Sequence, residues 1–213
     1  MGRTALGIAA ILATLSASLA KGEAQTATQA RSRPVTDWPC KSIKVAEISL
    51  AAVWSGPSVG DIAPSAWRED AAISALLAQI APRRLPVEAA ELAIHDFAAS
   101  LGASRREKLL VLFAGLFDTL AHERAMVVAG LDRFGHRQKE LADALRAATA
   151  AMRAEQDKPD ADAAKVQNLT DRMAWDMRIF EDKRKSVSYV CETPVLIEQR
   201  LFALGRAIAK EME

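Results

Sequence analysis

Residues 104–152 read SRREKLLVLFAGLFDTLAHERAMVVAGLDRFGHRQKELADALRAATAAM, and their periodicity decides the fold. Phe113, Phe117, Leu120, Val127, Leu131, Phe134, Leu141, Leu145, Ala148 and Met152 recur at intervals near three and four. That is the seam by which one long helix packs along another. Ser104 and Glu107 have the spacing of a capping box, in which the hydroxyl and the carboxylate each satisfy a free backbone N–H, so the helix is expected to open there. Gly130 and Gly135 lie inside it. Each costs up to ~1 kcal/mol relative to Ala in a helix, and a kink or break is expected near Gly135.

Downstream, Lys158-Pro159-Asp160 turns the chain. A second long helix then carries Val166, Leu169, Met173, Met177, Phe180 and Val187 to about Tyr189. Thr193-Pro194 has the chemistry of an N-cap and first helical residue, so a separate last helix is expected, with Ile197, Leu201, Leu204 and Ile208 facing inward. Upstream, residues 65–81 predict a helix with Ile73, Leu76, Leu77 and Ile80 on one face, stopped by Pro82-Arg83-Arg84. Another starts at Pro86, carries Leu92, Ile94 and Phe97, and ends before Gly102. The fold class read from these patterns is all-α: an elongated helical bundle of about five helices over residues 65–213, with a long antiparallel helical hairpin and an extended N-terminal arm.

The arm is residues 38–64. In KSIKVAEISL, residues 41–50, Ile43 and Val45 alternate with Lys44 before the phase slips to Ile48 and Leu50. That is a weak strand signal without a partner strand, so the segment is expected to lie extended along the helices. Trp38, Trp54 and Trp67 are expected to anchor it, since buried Trp is usually core. Residues 21–37, KGEAQTATQARSRPVTD, are polar, small and aperiodic, the composition of a disordered leader.

Residues 1–20 carry the pattern of an export signal: Arg3, the uncharged stretch ALGIAAILATLSA over residues 5–17, and Ser18-Leu19-Ala20 before Lys21. Cleavage is expected after Ala20 and the mature protein is expected in the periplasm, with no membrane span left, because residues 109–120 are too short and carry Asp118. Loss of residues 1–20 removes Arg3 and no acid, leaving 27 basic and 27 acidic residues. That balance argues against nucleic acid as a partner. In an exported chain the two cysteines, Cys40 and Cys191, are expected to form a disulfide that ties the arm to the far end of the helical domain.

Three histidines each follow an acid by four residues, Glu91–His95, Asp118–His122 and Asp132–His136, which are neighbours on a helix surface. His122 shares a face with Met126, and Met173 with Met177. Imidazole with thioether suits copper, so these four form the candidate metal set. Glu123, Arg124 and Gln138 interrupt the long seam, and Lys183 and Arg184 interrupt its partner. They read as a polar seam that fixes pairing or as convergent charges for a ligand. No Gly-x-Ser-x-Gly, Gly-rich phosphate loop or plausible Cys–His pair occurs, so the chain is not expected to be an enzyme and no cofactor is assigned. The expected function is a non-enzymatic accessory or interaction protein: a scaffold, an assembly factor or a complex subunit. It would have a protein partner in the cell envelope, and its long seam could also recruit a second copy. A periplasmic metal or small-ligand binding bundle is the alternative.

Overall fold

The computed structural model describes residues 37–213, and the expected signal peptide and nearly all of the expected leader lie outside them. The described chain is all helical. After the arm's first residues come α1 (Leu50–Val53), α2 (Ala66–Glu69), α3 (Ala71–Ile80), α4 (Val87–Ser100), a 3-10 turn (Gly102–Ser104), α5 (Arg105–Gln156) and α6 (Ala163–Lys210). Among the described residues no helix is long and apolar enough to cross a membrane.

The two long helices form an antiparallel hairpin. Arg124 bonds Glu198, Thr149 Oγ1 contacts the Met173 sulfur, and Thr170 Oγ1 contacts that of Met152. Each step up α5 is matched by a step down α6. The core sits at the end of the hairpin near the C-terminus. There α3, α4, α1 and Trp54 close over Leu109, Leu112, Phe113, Leu116 and Leu120 from α5 and Ile197, Leu201, Leu204 and Ile208 from α6. These side chains are fully buried, and each stabilises the fold by roughly 1.5–3 kcal/mol relative to an exposed one. Trp54 stacks on Phe113 with ring centroids 3.7 Å apart. Trp67 packs where Gly115 leaves room for it.

Four local expectations are corrected. The single helix over residues 65–81 is two, because Asp70 adopts an extended conformation and its carboxylate accepts from the Ala72 and Ile73 N–H groups to cap α3. Ser104 makes no capping box. Gly102, at φ 53°, turns the chain into the 3-10 segment, and the Ser104 hydroxyl donates back to the Leu101 carbonyl instead. The first long helix is unbroken through Gly130 and Gly135. No new helix begins at Thr193-Pro194: α6 runs through Pro194, which is buried. A proline there removes one intrahelical hydrogen bond, but Val187, Ile197 and Leu201 stay on the buried face only if the helix continues.

Candidate functional site

The arm is clasped onto the middle of the hairpin by contacts from four directions. Cys40 and Cys191 are disulfide-bonded, with Cα atoms 5.6 Å apart. The Asp37 carboxylate bonds His136 Nδ1 at 2.7 Å and pairs with Lys139 at 3.4 Å. Partial burial pushes that carboxyl up, but the His136 and Lys139 hydrogen bonds together hold it below its ordinary value. Lys44 Nζ pairs with Asp132 at 2.7 Å. Arg124, buried, donates from Nη2 to the Val45 carbonyl at 2.9 Å, from Nη1 to the Ala46 carbonyl at 3.1 Å and from Nε to Glu198. One guanidinium fork therefore fixes both the arm and the pairing of α5 with α6, the planar multi-donor use to which arginine is suited.

Of the expected polar seam, Arg124 is thus a structural hub. Gln138 lies in the seam too, with both amide atoms buried and unpartnered among the described residues. Glu123 is half-buried and loosely paired with Arg83 at 3.7 Å. Lys183 and Arg184 are exposed, and Arg184 pairs with Glu181 one turn away. These five residues do not converge on a ligand.

The metal set does not assemble. His122 and exposed Met126 lie beside the core, whereas Met173 sits opposite Thr149, about 27 residues or roughly 40 Å further along α5 at 1.5 Å per residue. An antiparallel hairpin brings together residues at matching heights, and these four are at two different heights. The acid–histidine neighbours also separate: His95 bonds Glu211, His136 bonds Asp37, Asp118 takes Arg68 and Asp132 takes Lys44. Tertiary partners replace the helical ones in each case.

Two residues were missed from sequence. Arg200 is buried, donates from Nε and Nη2 to the Ile80 carbonyl and from Nη1 to the Leu85 carbonyl, and so satisfies the last carbonyl of α3 and one in the loop that leads to α4. Burial lowers its pKa. Its signal was its place in the inward stripe Ile197, Arg200, Leu201, Leu204. Trp175 is 61% exposed. From residue 136 to residue 186 the only buried residue among those described is Leu145. Beyond His136 and Lys139, which still hold Asp37, α5 and α6 continue for roughly 25 Å, and among the described residues they pack on each other.

Two open concavities flank the exposed face of α6. One, of about 750 Å3, is walled by Pro39, Cys40 and Lys41 of the arm and by Lys185, Val195 and Leu196. The other, of about 840 Å3, lies against α4 and takes in Glu88, Glu91, Leu92, Phe202, Arg206 and Glu211. Comparison of this chain with protein-family models, with curated proteins and with solved structures finds no match in any of the three. The fold and site define an all-α protein built on a disulfide-clasped two-helix hairpin.

Proposed function

We propose that this is an exported, non-enzymatic interaction protein of the periplasm, a scaffold, assembly factor or subunit of a larger complex, which offers the distal half of its hairpin to a protein partner. The observation that supports this most is Trp175, an amphipathic side chain left 61% exposed on a two-helix segment that buries only Leu145. Tryptophan is among the residue types most enriched at interface hot spots, and a pair of helices that no other described residue covers suits helix-to-helix docking. The export pattern of residues 1–20 and the disulfide support an oxidising compartment. The separation of His122 and Met126 from Met173 along the hairpin weighs against the metal-binding form of the alternative.

The test is affinity capture of the protein from its native envelope with gentle cross-linking, run for the wild type and for Trp175→Ala. One partner at near-equal stoichiometry, depleted in the variant, is expected. A partner-free protein, or one whose partner is indifferent to residue 175, overturns the reading.

A further inference from the structure

The outward face of α6 between Glu192 and Arg206 is centred on Gln199, with apolar side chains on either side of it and opposite charges at the two ends. Glu192, Val195, Leu196, Gln199, Phe202 and Arg206 recur at helical spacing, and all six lie at the surface. Val195, Leu196 and Phe202 are 46%, 46% and 45% exposed. The Arg206 guanidinium lies 5.7 Å from the Phe202 ring centroid, which holds it on this face. Around Gln199 the two halves are complementary rather than alike. The concavity on the N-terminal side gathers Lys41, Arg184 and Lys185 against one acid, Glu192. That on the C-terminal side gathers Glu88, Glu91, Glu211 and Glu213 against Arg206 and Lys210.

We propose that this face binds a second copy of the chain, with the two α6 helices crossing antiparallel about a twofold axis at Gln199. A twofold contact must be self-complementary, because every pair occurs twice. In this register Glu192 meets the second copy's Arg206, Val195 meets its Phe202 along one flank, Leu196 meets its Ala203 along the other, and the two Gln199 amides face each other. The basic concavity of one copy lies toward the acidic concavity of the other. Apolar side chains form the middle of the contact and charge pairs its rim, the usual layout of a specific interface. A parallel pairing would set Glu192 against Glu192 and Arg206 against Arg206, so opposite charge selects the antiparallel one. The surface is distinct from the distal hairpin that carries Trp175, so dimerisation and partner capture stand or fall separately.

Sedimentation of the purified protein tests this directly. The wild type is expected to sediment at twice the chain mass at ~100 μM, with dissociation promoted by salt. Leu196→Glu, at a surface position that leaves the core intact, is expected to sediment as a monomer with an unchanged far-ultraviolet circular dichroism spectrum. Glu192→Arg and Arg206→Glu are each expected to weaken association about tenfold or more, and the double variant is expected to regain most of that loss because the charges are exchanged across the twofold. A wild-type monomer at that concentration, a dimer indifferent to Leu196→Glu, or a double variant as weak as the singles overturns the proposal.

Discussion

The carbonyl oxygen of Asp37 occupies the place where a side chain on Gly135 would begin. Gly135 is therefore not a weak point of α5 but the seat on which the arm enters the hairpin. Its missing Cβ lets backbone meet backbone, and His136 beside it and Lys139 one turn on then hold the Asp37 carboxylate.

The two mid-helix glycines are consequently expected to behave oppositely. Gly130→Ala meets open space, with Arg133 Nη2 the nearest group at 3.9 Å, and gains helix propensity, so it is expected to stabilise by up to ~1 kcal/mol. Gly135→Ala gains the same propensity but displaces the arm, and a net loss of about 1–3 kcal/mol is expected. Urea unfolding of the two variants measures both signs.

The disulfide closes a loop of 151 residues, which the chain-entropy model values at about 5 kcal/mol. The double variant Cys40→Ser, Cys191→Ser is expected to lose several kcal/mol, with unfolding still cooperative because the core lies elsewhere. Hydrogen exchange is expected to show the loss first in residues 37–53. An unchanged denaturation midpoint would mean that the ion pairs and Arg124 hold the arm by themselves.

Gln138 carries a buried amide whose oxygen and nitrogen have no partner among the described residues. An unmet buried polar group costs about 1–3 kcal/mol. Gln138→Leu keeps a similar volume and removes both groups, so it is expected to raise thermal stability, read by calorimetry. A fall in stability would show that the amide is satisfied in solution.

Asp70 caps α3 and pairs with Lys108, and the Lys108 hydrogen bond, followed by that from the Ile73 N–H, holds its carboxyl below the ordinary value of 3.8. A depressed carboxyl contributes stability that is present above its unfolded pKa and lost as pH falls through the folded one. Lys108 is raised above 10.5 by the same pair, so its share is lost only in strong base. Stability attributable to this pair is thus expected to be level from about pH 5 to 9 and to fall below about pH 3.8. Asp70→Asn keeps a good capping residue but removes the charge, so it is expected to flatten that acid limb in pH-dependent unfolding.

The hairpin was legible because Phe113, Leu120, Leu131 and Leu145 repeat with the helix over many turns, and the turn at Lys158-Pro159-Asp160 had no competing reading. The disulfide was legible from cysteine parity and the export pattern. Thr193-Pro194 was misread because it is a strong local start signal, while the packing of Val187 and Ile197 on one continuous face is a tertiary effect that overrides it. Gly135 misled for a related reason: propensity records its entropic cost, and the approach of Asp37 is invisible until the arm is placed. The His–Met set failed because sharing a helix face says nothing about height along an antiparallel pair. Trp175 was passed over because an aromatic off the apolar stripe reads as unremarkable until the rest of that segment proves almost coreless.

The most direct test of the interaction account is a photo-crosslinking amino acid placed at Trp175 and, as a control, at exposed Asp143 on the same segment, with illumination of cells expressing each version. The account predicts one discrete heavier adduct from position 175, absent or much weaker from position 143. The same background at both positions, with no discrete adduct, would contradict it.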